Sequence, residues 1–164
     1  MNRSQLDHIL KAHHRDAYLW ARQCCSFEDE LAKDVLQQSY LKILEGQAKL
    51  KDASKAKTWL FSIIRYTAID ELRKAGRVIP LLDSYDPVEP TEEVDETDYE
   101  AIIKLLPDMQ REVILMVFYH QMTIAQSAEI LQIGLGTART HYERGKKKLK
   151  ELITKVQLQQ EYGK

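Results

Sequence analysis

Residues 123–149 read TIAQSAEILQIGLGTARTHYERGKKKL. The stretch divides into a short apolar helix, a tight turn, and a second helix rich in Arg, Lys and small polar residues. That is the pattern of a helix-turn-helix, whose second helix enters the DNA major groove. Thr123 stands where a cap is needed, and Ile124, Ala128 and Leu131 recur at spacings of four and three to make one buried face. Gln132, Ile133 and Gly134 form the turn, with Gly134 expected to take positive φ. No proline interrupts the run from Leu135 to Leu149. Thr137, Arg139, Thr140, His141, Tyr142 and Arg144 are side chains able to reach base edges or phosphates. Lys146, Lys147 and Lys148 then form a cluster suited to phosphate.

Working outward, the whole chain has 164 residues, 44% of them hydrophobic, so a packed core is expected rather than disorder. Only 6 Gly and 4 Pro interrupt a composition dominated by Leu, Ala, Gln, Lys and Glu, which favours helix. The formal net charge of −1 conceals segregation. Residues 1–77 hold 14 basic and 10 acidic side chains, residues 78–100 hold 9 acids and no Lys or Arg, and residues 101–164 hold 10 basic and 6 acidic. Two basic halves thus flank an acidic connector, and the halves are where a polyanion would bind. No 18-residue apolar run marks a membrane span, and the first residues lack the apolar core of a signal peptide. Adjacent Cys24 and Cys25 are unsuited to bridge each other and fit a reducing cytoplasm. His8, His13, His14, Cys24 and Cys25 do not form a metal set, because His13 and His14 point to different faces and no Cys-x-x-Cys spacing exists, so no metal and no cofactor is expected.

The fold expected is all-α. The first half reads as three helices. Leu6, Ile9, Leu10, His13, Ala17, Trp20 and Cys24 keep helical spacing in one long helix. Ser26 is placed to cap a second, whose buried stripe is Leu36, Tyr40, Ile43 and Leu44 and which Gly46 stops. Ser54 or Thr58 opens a third that ends near Gly76. Its apolar residues, Trp59, Leu60, Phe61, Ile63, Ile64, Ala68, Ile69 and Leu72, spread around most of the circumference, as in a central helix packed on several sides. Trp59 reads as core before it reads as a base-stacking platform. Residues 78–95 contain three of the four prolines and read as a flexible acidic linker. Beyond it come a helix over 96–106, a break at Pro107, a helix to about His120, and the helix-turn-helix; residues 156–164 are expected to fray.

Four segments in this order resemble those of an extracytoplasmic-function (ECF) sigma factor of bacterial RNA polymerase, group 4 of the sigma-70 family. Residues 32–44, AKDVLQQSYLKIL, are similar to a family segment like AEDVVQETFLRAW, and residues 58–73, TWLFSIIRYTAIDELR, to one like TWLxxIARNxAIDxLR. Residues 106–115, LPDMQREVIL, resemble LPxxxRxVxxL, and residues 126–149 resemble EIAEILGIPVGTVKSRLHRARKKL. The chain departs from these patterns at Gln38, Ser127, Gly134, Ala138 and His141.

The resemblance implies a region 2 domain over 1–77, the linker over 78–95, and a region 4 domain over 96–164. It implies that Asp34, Gln37, Gln38 and Leu41 dock on core RNA polymerase. It implies that Lys49, Lys51, Lys55, Lys57, Arg65 and Arg73 meet the downstream (−10) promoter element and help to melt it. It implies that Thr137, Arg139, Thr140, His141, Arg144 and Lys147 meet the upstream (−35) element. An anti-sigma factor follows from the same resemblance as a further partner, and catalysis is left to the polymerase. The helix-turn-helix by itself fits equally a stand-alone transcription regulator, and the basic regions fit a helical adaptor for proteins. The segment 59–73 argues for the sigma reading, because an ordinary repressor has no need of a melting module.

Overall fold

A computed structural model of the chain describes residues 2–76 and 99–162. Every regular element among them is helical. The chain divides into two compact units, Met1–Ile79 and Pro80–Lys164. The expected linker, 78–95, lies outside the described residues, as do residues 96–98 of the helix expected to follow it.

The N-terminal unit is organised around Trp20. Its ring lies nearly parallel to that of Phe61, 5.2 Å between centroids, and its indole N–H donates to the Phe61 carbonyl at 3.1 Å. Both side chains are wholly buried, and losing either would cost about 3–5 kcal/mol. Four helices surround this pair: α1 (Arg3–Ala12), α2 (His14–Cys24), α3 (Asp29–Leu44) and α4 (Ala56–Lys74). The single long helix expected at the start is two helices. His13, at φ −104° and ψ 6°, closes α1 and opens α2. The apolar spacing carries across this one-residue break, so periodicity alone could not show it.

The α2–α3 turn also differs from expectation. Ser26 and Phe27 both take positive φ, 53° and 64°, and Glu28 precedes α3 without a side-chain cap. The turn is held instead by Asp29, whose carboxylate accepts from Arg22 Nε at 2.7 Å and from the Tyr18 hydroxyl at 3.0 Å. Gly46 ends α3 as expected: at φ +79° it donates to the Ile43 carbonyl, and Gln47 donates to that of Lys42. Neither Ser54 nor Thr58 caps α4. Asp52 accepts from the Ser54 amide at 3.0 Å and caps a short 3-10 turn, Ala53–Lys55, which leads into the helix, and Thr58 is buried inside it. Two buried hydroxyls in this unit bond within their own helices: Ser39 donates to Val35, and Thr67 donates to Ile63 while also accepting from Lys42 of α3.

The C-terminal unit comprises α5 (Tyr99–Lys104), α6 (Asp108–Ile114), a π-helical turn (Leu115–Tyr119) continuing α6, α7 (Ile124–Leu131) and α8 (Leu135–Tyr162). Thr123 caps α7 as expected, in a reciprocal pair with Gln126. Between α7 and α8, however, the left-handed residue is Gln132 at φ +57°, and Gly134 does not adopt positive φ. The expected fraying from Val156 does not occur either. Helix α8 runs to Tyr162, and Val156 is buried with Ile102, Leu106 and Leu152. Helix α5 supplies the apolar surface that keeps α8 going. Gly145 lets α8 approach α6: a Cβ there would lie 2.9 Å from Ile114 Cγ1 and 3.3 Å from the Gln110 carbonyl.

Candidate nucleic-acid and protein interfaces

Helix α3 buries Ala32, Val35, Leu36, Ser39 and Ile43. Leu44, expected inside, is 44% exposed, and Leu41 is 48% exposed. These two leucines border a groove of about 570 Å³ that also takes in Leu36, Gln37 and Tyr40 of α3 and His14 and Tyr18 of α2. Lys33 also borders its mostly apolar lining, and two of the lining residues are joined by a hydrogen bond of 2.9 Å between His14 Nδ1 and the Tyr40 hydroxyl. Burial pushes the Tyr40 hydroxyl up to about 12, so it stays protonated. Of the four residues expected on this surface, Gln37 and Leu41 line the groove. Asp34 is exposed and Gln38 half-buried on the neighbouring ridge of the helix. The contribution of α2 was not read from sequence, because nothing in its spacing separates His14 and Tyr18 from core.

Helix α4 packs on α2 and α3 through Leu60, Phe61, Ile64, Thr67 and Ala68. Its opposite side carries Trp59, Ile63 and Ile69, all half-buried, with Tyr66 and Arg73 exposed. The apolar circumference that suggested a central helix is therefore in part an outward apolar face, and Trp59 belongs to that face. Tyr66 is 67% exposed, with the Lys42 ammonium 5.3 Å from its ring centre. Among the basic residues expected here, Lys49, Lys51 and Lys55 are exposed in the loop and turn that precede α4. Arg65 is half-buried. Lys57 turns back to the body, 3.8 Å from Asp16 and over the Phe61 ring.

On α8 the buried residues Ala138, His141, Gly145 and Leu152 mark the inner side. Thr137, Arg139, Thr140, Glu143, Arg144 and Lys147 are exposed on the other. His141, expected at DNA, is only 4% exposed and faces the core, so it is removed from the reading set. Its place in the spacing, three residues after Ala138 and four before Gly145, is that of the buried stripe. At the flank of α8, Tyr142 stacks on the exposed Phe118 at 5.8 Å, and Lys146 lies 4.8 Å from the Tyr142 ring centre. Among the described residues no group of three or more His, Cys, Asp or Glu is placed to hold a metal ion. No helix among them is long and apolar enough to cross a membrane.

Two family models match the chain in this order: Sigma-70 region 2 over residues 9–78 and Sigma-70, region 4 over residues 97–149. The chain belongs to the ECF sigma factors of the sigma-70 family. It is 28% identical to the ECF RNA polymerase sigma factor SigM of Mycobacterium tuberculosis, over 93% of this chain and 79% of that protein. It is 26% identical to the RNA polymerase sigma factor SigV of Bacillus subtilis, over 89% of each. A solved structure of the sigma factor RpoE in complex with the anti-sigma factor NepR from Bartonella quintana shares the fold, with a TM-score of 0.74, 23% identity, and coverage of 92% of this chain and 97% of that one. As a sigma factor the protein directs RNA polymerase to promoters.

Proposed function

We propose that the two units divide promoter recognition between them, region 2 over residues 1–77 and region 4 over 96–164, joined by the linker 78–95. The outer side of α8 meets the −35 element through Thr137, Arg139, Thr140, Arg144 and Lys147. The single observation that carries this is the exposure of all five outside the buried stripe of the helix, on a helix preceded by a capped α7. Such a helix can enter a major groove without unpacking its unit.

Helix α4 and the loop before it take the −10 element. Lys49, Lys51, Lys55, Arg65 and Arg73 attract the backbone, while Trp59 and Tyr66, seven residues apart on one side of α4, stack on unpaired bases. Lys57, engaged with Asp16, contributes charge to this surface from behind. The α2–α3 groove, with Leu41, Leu44 and Gln37, receives core polymerase, and Asp34 and Gln38 border it. An anti-sigma factor, of the kind bound in the RpoE–NepR structure, competes for the same leucines. The protein works in the cytoplasm, where polymerase is found.

The test is transcription with purified core polymerase on promoter templates, combined with permanganate probing of unpaired thymines. The wild-type chain should confer promoter-specific transcripts and an open −10 region. A double variant Trp59→Ala, Tyr66→Ala should keep polymerase binding and lose strand opening. Normal opening by that variant would remove the stacking role from α4.

A further inference from the structure

Resting on the reading of α8 as the −35 helix, we infer that Glu143 reads sequence there by accepting a hydrogen bond from a cytosine N4 amino group. Arg139, Glu143 and Lys147 are four residues apart and share one exposed ridge of α8. Glu143 is the central member, with its side chain 66% exposed. Its ion-pair partner, Lys146, is at the edge of ion-pair reach, 3.9 Å, and that ammonium also lies over the Tyr142 ring. The carboxylate therefore points outward with acceptor capacity to spare.

An acid at the middle of a phosphate-facing ridge is costly, because it repels the backbone that its neighbours attract. It also has no donor to offer a phosphate oxygen. In the major groove the partner suited to it is an exocyclic amino group, and the pairing that fits Glu is cytosine N4. The flanking Arg139 and Lys147 offset the repulsion and hold the ridge against the duplex. Four residues of α-helix advance about 6 Å, against a base-pair rise of about 3.4 Å. The cytosine thus falls one to two base pairs from the base met by Arg139. Repulsion supplies discrimination as well: where no amino group faces Glu143, its charge opposes binding uncompensated.

The test uses the full chain with core polymerase and a duplex pool randomised across the −35 region, with bound sequences counted. The wild-type protein should prefer cytosine at one position by about tenfold, the low end of what a bidentate pair gives, because cytosine N4 offers the groove a single donor. Glu143→Ala should flatten that position alone, and Glu143→Gln should move its preference towards adenine, which Gln can read. A uniform gain in binding to every sequence with Glu143→Ala would reduce Glu143 to a repulsive surface charge and overturn the inference. So would a loss confined to the position that Arg139→Ala also alters, since Glu143 would then act through Arg139. If the wild-type complex selects no −35 sequence at all, the assignment of α8 as the −35 helix falls with it.

Discussion

Gly145 and Gly136 lie on the same helix, and the same substitution should have opposite effects at the two positions. A Cβ on Gly145 would stand 2.9 Å from Ile114 Cγ1 and 3.3 Å from both the Cβ and the carbonyl oxygen of Gln110. A Cβ on Gly136 would meet nothing within 4 Å. Alanine is favoured over glycine in a helix by about 0.8–1.0 kcal/mol, with less to gain near the end, where Gly136 sits. Gly136→Ala should therefore stabilise the C-terminal unit slightly. At Gly145 the same propensity gain is opposed by overpacking of about 1–3 kcal/mol, because Ile114 is buried and the Gln110 contact includes backbone. Because Gly136 gains less than Gly145, the two stabilities should differ by no more than the contact cost, about 1–3 kcal/mol.

Urea unfolding followed by far-ultraviolet circular dichroism would measure that difference. Both tryptophans, Trp20 and Trp59, belong to the N-terminal unit, so their fluorescence follows that unit alone and should not move in either variant. Gly145→Ala should also weaken binding of the polymerase complex to −35 sequences, because Ile114 and Gln110 set the seat of the helix that carries Arg139 and Arg144. Equal stability of the two alanine variants would refute the reasoning. It would mean that α6 yields without cost and that the close approach does not constrain α8.

Arg139→Ala should relax sequence preference at one −35 position and cost about 1–3 kcal/mol there, whereas Lys147→Ala should weaken all sequences alike; binding to a randomised duplex set separates the two outcomes. Leu41→Asp should weaken both core polymerase and an anti-sigma factor in pull-downs, with the fold intact by circular dichroism, and unchanged capture of both would place the docking surface elsewhere. The Arg22 guanidinium, and next the Tyr18 hydroxyl, hold the Asp29 carboxyl below the usual carboxylate range. Its contribution to the α2–α3 turn should be complete above about pH 4 and fade as pH falls below that. Asp29→Asn should flatten this part of the acid limb in a pH series of melting curves.

The elements were legible where chemistry repeats with a period or where one residue type meets one backbone need. Thr123 as the cap of α7, Gly46 at positive φ, and Ala128 and Leu131 on the buried side of α7 are of that kind, although Ile124, expected with them, is only half-buried. The misreadings have a common cause: a backbone need met by a residue that carries no special signal. Gln132 takes the left-handed position two residues before the glycine that seemed made for it. Ser26 is left-handed where a cap was expected, and His13 breaks a helix whose pattern runs straight through. On the proposed DNA surface, Thr137, Arg139, Thr140, Arg144 and Lys147 are exposed, as DNA contact requires. His141 was misassigned by residue type, since a histidine beside arginines suggests DNA while its register is that of Ala138 and Gly145. The groove on α3 was half legible: Leu41 was read as exposed, but α2's share depends on tertiary packing that no local pattern encodes.

The two outward helix faces suit different states of nucleic acid. That of α8 is polar and ionic, with Thr137, Arg139, Thr140, Glu143, Arg144 and Lys147, which match groove edges and phosphates of intact duplex. That of α4 is aromatic and aliphatic, with Trp59, Ile63, Tyr66 and Ile69, which offer little to a base pair's edge. They offer more to the face of an unstacked base, where stacking contributes about 1–3 kcal/mol per base. A chain that only held duplex would gain nothing from keeping Tyr66 67% exposed. Apolar surface in water is a standing cost, and here it is recovered only when bases leave the stack. On the function proposed above, strand opening is favoured by what α4 binds, while α8 fixes where on the duplex that opening occurs.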